Sequence, residues 1–211
     1  MSAVSGPSAT PAPSTVGAGG LRGVLLVRGA LALALGLVIT FSRDHSALFG
    51  MIAFGIFVLA TALTLAVGTV LTARSGQRDL FGLIQIVVAF AAGVAAVLLS
   101  ADYFVIVVSS WALLSGAMEL TAGILAQRAG ASGRDAITLG GLAILLAAVL
   151  LIVPPEFTEP WQVIGRDGAV EASGSVTADI MTVGVLGAWA IIHGLLIVIA
   201  AFTPARGQAT A

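Results

Sequence analysis

The stretch SSWALLSGAMELTAGILAQR, Ser109 to Arg128, is apolar enough to fill a bilayer, yet it carries a carboxylate, Glu119, well inside it. A hydrocarbon core of about 30 Å is crossed by roughly 20 apolar residues in a helix. This stretch has that length, and five others have it too. The spans fall at about 21–42, 47–72, 81–100, 104–127, 136–153 and 179–202. In lipid the backbone must satisfy its own hydrogen bonds, so spans of this kind are helices. The short polar links SRDHS, ARSGQRDL, ADY and RAGASGRD force neighbouring spans to run antiparallel. Pro154 and Pro155 fix the end of the fifth span, because proline cannot continue a helix.

Composition supports the same class. Of 211 residues 59% are hydrophobic and 9% charged, and mean hydropathy is +1.12. A soluble domain carries about 25% charged residues, so this chain could not cover a surface facing water. It contains no cysteine, which removes disulfides, thiolate metal ligands and cysteine nucleophiles. The net charge is −1 and no basic cluster exists, so a nucleic-acid partner is not expected. The expected partners are the lipid bilayer and, within it, a second copy or another membrane protein.

Residues 1–20, rich in Ser, Pro, Ala and Gly, are expected to form a disordered tail, and 204–211 a short C-terminal one. No basic region with a short apolar core precedes the first span, so a cleaved signal is not expected. Arginine placement sets an orientation. Arg22, Arg74, Arg78, Arg128, Arg134 and Arg206 gather on one side, whereas the other has Arg43 and Arg166 among seven carboxylates. Both termini are therefore expected in the cytoplasm. The long outer loop, 154–179, contains WQVIGRDGAVE, whose β-prone arms flank Arg166-Asp167-Gly168 as a hairpin would; a solvated loop is the alternative.

The spans also repeat. WALLSGAMELTAGILAQR (111–128) aligns without a gap on WAIIHGLLIVIAAFTPAR (189–206), matching Trp111 with Trp189, Gly116 with Gly194 and Arg128 with Arg206. The second span fits this frame loosely from Ile56, with Gly68 under Gly123 and Arg74 one place late. Among the odd spans, residues 28–36 lie over 85–93, which puts Arg28 over Gln85. The expected fold class is an all-α membrane protein, six transmembrane helices arranged as three repeated hairpins.

This arrangement resembles the HdeD-type acid-resistance family of small bacterial inner-membrane proteins. The resemblance rests on RGALALALGLVITF (28–41), the WALLSGAMELTAGI frame (111–124) and LAILLAAVLLIVPPE (142–156), and spans about 21–206. It implies location in the bacterial inner membrane and a role in tolerance of acid or envelope stress, without enzymatic activity. The loop at 154–179 departs from the short link usual in such proteins.

Ionisable groups inside a membrane are costly and by default suggest function. Glu119 lies nine residues before Arg128, about 13 Å at 1.5 Å per residue, on a stripe with Ser115 and Gly123. Arg28 lies about 9 Å past Arg22, a comparable depth. The two could pair or Arg28 could snorkel, and the lean of helical side chains points them apart. His193 lies near mid-membrane at the repeat position of Ser115, as a relay or hydrogen-bonded to a helix neighbour. The candidate polar residues are thus Arg28, Gln85, Ser115, Glu119 and His193. Two distant histidines make no recognisable metal site. No nucleophile elbow or phosphate loop appears, and no catalytic residue, cofactor or metal is expected. The alternative function is a proton or small-solute pathway lined by Glu119, His193 and Arg28.

Overall fold

The computed structural model describes residues 15–74, 76 and 79–203. The two tails at 1–14 and 204–211, with Arg78 and Arg206, lie outside the described residues. Six long helices carry the chain: α1 (Thr15–Phe41), α2 (Ala47–Arg74), α3 (Leu80–Leu98), α4 (Phe104–Arg128), α5 (Arg134–Ile152) and α6 (Ala178–Phe202). All six are long and apolar enough to cross a membrane. α1 begins at Thr15, inside the stretch expected to be a tail.

The helix ends follow from local chemistry. Asp79 caps α3, its Oδ1 accepting the Gly82 N–H at 2.8 Å, and Thr177 caps α6 through Ile180. Gly130, at φ +78°, closes α4. There the Gly130 N–H bonds Gln127 and the Ala131 N–H bonds Ala126, the paired bonds of a left-handed C-terminal cap. In the α1–α2 link the Ser46 N–H donates to Asp44 Oδ1 at 2.8 Å. That bond holds the Asp44 carboxyl below its ordinary range.

Between α5 and α6 the chain is not helical, so the molecule is mostly helical rather than all-α. β1 (Thr158–Ile164) and β2 (Val170–Thr177) form an antiparallel hairpin with Trp161 opposite Gly174. Its tip is Arg166-Asp167-Gly168, with Gly168 at φ +80° and the Gly165 N–H bonded to the Ala169 carbonyl. A three-residue loop with glycine in the left-handed region is a standard hairpin closure. Trp161 is packed across Gly174, where a Cβ would meet the indole ring at 2.8 Å.

The helices close into a ring, since α1 packs on α6 as well as on α2. The most intimate contacts are α4 with α5, α1 with α6 and α2 with α3; pairs within the expected hairpins pack less closely. Glycine lies in all three, and in two of them it faces the backbone of another glycine. A Cβ at Gly194 would lie 2.8 Å from the Gly29 carbonyl oxygen, and one at Gly116 would lie 2.8 Å from that of Gly140. Small residues let backbones approach in lipid, where packing rather than water exclusion drives association.

Toward the axis, one aromatic ring from each even helix meets the other two edge to face. Centroids of Phe57 and Trp111 are 5.9 Å apart, Phe57 and Trp189 6.4 Å, and Trp111 and Trp189 5.6 Å. This triangle divides the interior. On the side of the β-hairpin lies a dense apolar core that includes Met51, Phe54, Phe104, Leu150, Val183 and Leu186. Outward-facing residues such as Ile56, Leu63, Phe90, Leu145 and Ile199 are exposed and apolar, as a lipid-facing belt requires.

Candidate functional site

On the other side of the triangle, toward the end that bears the chain termini, the interior is polar. Arg28 Nη2 lies 2.8 Å from Glu119 Oε1, the one salt bridge among the described residues. Their side chains are only 16% and 12% exposed. α1 and α4 stand opposite each other in the ring, so the contact crosses the axis. A close glycine contact lies beside each charge. Arg28 immediately precedes Gly29, seated on Gly194, and Glu119 follows by one turn Gly116, seated on Gly140. The lean of the two side chains, which argues for separation, does not prevent the contact, which the long arginine side chain spans.

The pair borders a cavity with about 30 Å³ of room for water centres. A single water needs at least roughly 10–15 Å³ of such space, so a water or two fits. All five polar residues singled out in the sequence line it: Arg28, Gln85, Ser115, Glu119 and His193. Gln85 and Ser115 make no side-chain hydrogen bond within the described residues, so their polar groups are free to meet the cavity's contents.

His193 is buried, with its ring stacked on Trp189 at 4.5 Å and 25° between planes. Its Nδ1 has no hydrogen-bond partner among the described residues. The expected bond to a helix neighbour is therefore replaced by stacking, and the imidazole stays available to the cavity.

Thr61, Trp111 and Trp189 also line the cavity and were not among the expected site residues. Each buries a polar atom without a partner among the described residues: Thr61 Oγ1, Trp111 Nε1 and Trp189 Nε1. A signal for Thr61 was present. Phe57, not Ile56, joins the two tryptophans, which moves the α2 frame by one residue. In that register Thr61 falls with Ser115 and His193. Arg74 then coincides with Arg128 instead of falling one place late.

Electrostatically the site is a compensated ion pair in a low-dielectric wall, with several uncommitted donors around it. Such a site can hold water, bind a small polar species or exchange a proton. Comparisons with protein-family models, curated proteins and solved structures return no match to this chain.

Proposed function

We propose that this chain is a non-enzymatic protein of the bacterial inner membrane, of the HdeD type, with both termini in the cytoplasm and a role in acid or envelope stress tolerance. Its bundle consists of three copies of one helical hairpin. The aromatic triangle supports that repeat, as do Ala32, Ala89 and Ala143, one from each odd helix, all buried and all at the cavity. The matched contacts Gly29–Gly194 and Gly140–Gly116 support it as well. Orientation rests on Arg22, Arg74, Arg128 and Arg134 at the terminus-bearing end, opposite the acidic hairpin.

A second reading, a proton or small-solute pathway through Glu119, His193 and Arg28, is favoured by one observation. Five polar side chains, each costly in a membrane, converge on one cavity instead of scattering along the helices. The apolar core beyond the triangle closes the cavity toward the hairpin. Proteoliposomes carrying an internal pH dye test it. Wild-type protein should acidify the lumen after an acid pulse faster than Glu119→Gln, and equal rates in the two would remove the pathway.

A further inference from the structure

The residues around the cavity carry several uncommitted polar groups, two of which can only donate. Indole N–H groups can only donate, and those of Trp111 and Trp189 are buried with no acceptor. Thr61 adds a buried hydroxyl without a partner. Ser115 and Gln85 bring a further hydroxyl and an amide. Arg28 spends one terminal nitrogen on Glu119, leaving other N–H groups of its fork free. The hydroxyls and the amide can also accept, but the one anionic acceptor at the cavity is the Glu119 carboxylate. An unmet donor costs free energy in an apolar wall, and an unpaired charge costs more.

We propose that the cavity is a proton-coupled binding site for a small monovalent anion of halide or formate size. In the state described, Glu119 itself serves as the anion on Arg28. A proton from the terminus-side solution forms an O–H bond on Glu119, and the ion pair with Arg28 breaks. The entering anion then takes the carboxylate's place, accepting N–H bonds from Arg28 and from the free donors. One positive and one negative charge enter together, so the cavity stays neutral throughout. Its size, with room for a water or two, admits chloride or formate and excludes bulkier anions.

The ionisable groups facing this site are Arg28 on α1, Glu119 on α4 and His193 on α6; α2, α3 and α5 present none there. A proton on His193 would add a second positive charge and strengthen anion binding, so both histidine and carboxylate act in the same direction. The proposal rests on the reading above that this cavity is a working site.

Intrinsic fluorescence tests it directly, because the chain has three tryptophans and two of them line the cavity. Trp161→Phe protein in gluconate buffer is titrated with chloride, bromide or formate between about pH 8 and about pH 4. Saturable changes should appear as pH falls, with affinity at neutral pH at least about ten-fold weaker. Glu119→Gln, a fixed neutral mimic, should already bind at neutral pH, and any pH dependence that it keeps belongs to His193. Adding Arg28→Gln to it should abolish saturation. Should that variant fail to fold, Thr61→Val removes a single donor and should weaken binding several-fold. A linear, collisional response in Glu119→Gln, or binding unaltered by loss of Arg28 or Thr61, overturns the proposal. Proton uptake in proteoliposomes separates the two ideas. Glu119-dependent uptake that persists with gluconate as the only anion, together with no saturable binding, sinks the anion site and spares the proton reading. Loss of both signals sinks both.

Discussion

Between Arg28 and Glu119, 2.8 Å of contact joins helices from opposite sides of the ring. Removing one partner leaves the other charge without compensation in a mostly buried place, which typically costs 3–5 kcal/mol. Glu119→Ala and Arg28→Ala should each lose about that much stability in detergent, read by reversible denaturation. The double change Arg28→Leu with Glu119→Leu should lose clearly less than the sum, because no charge is stranded. Additive losses would show that the two side chains are not energetically coupled. Depth along the helices, and hence the possibility of this pair, was legible from residue counting alone. Its formation was not. Direction around each helix, and how closely the backbones approach, depend on glycine contacts between spans distant in sequence.

Each helix pair owes its separation to what faces the neighbour. Gly194 and Gly29 sit back to back, so a side chain at Gly194 must push α1 away from α6. Overpacking of this kind costs about 1–3 kcal/mol. Gly194→Leu should show that loss in thermal unfolding, whereas Gly184→Leu on the same helix, with no atom within 4 Å of its added Cβ, should be near neutral. Similar effects from both would mean that the α1–α6 contact is looser than described. At this scale the sequence was a good guide, because span length and hydropathy are local. Five helices begin and end within about two or three residues of the expected bounds. α1 starts earlier because its first turns carry small residues and no apolar signal. The register of α2 within the proposed repeat was harder to read, because runs of Ala, Leu and Val align in several ways, and the contact of Phe57 with Trp111 and Trp189 favours a frame one residue later.

Seen whole, the bundle is asymmetric along its axis. Met51, Phe54, Phe104, Leu150 and Leu186 fill the half nearer the β-hairpin, and the half nearer the termini holds the ion pair and its cavity. That division is invisible in the hydropathy of the spans, all six of which qualify as membrane helices. It arises from which side chains converge at the axis, a property of three-dimensional packing. The asymmetry predicts one-sided access, and a chain without native cysteine is suited to measuring it. Ser115→Cys places a thiol at the cavity, and Ala172→Cys places one on the exposed hairpin. In right-side-out vesicles a small impermeant thiol-directed metal ion, Cd2+, should react with Ala172→Cys and leave Ser115→Cys untouched; in inverted vesicles the pattern should reverse. Labelling of Ser115→Cys from the hairpin side would mean that the aromatic triangle and the core behind it open readily. Labelling of Ala172→Cys only in inverted vesicles would instead overturn the orientation drawn from the arginines, because the hairpin would then face the cytoplasm.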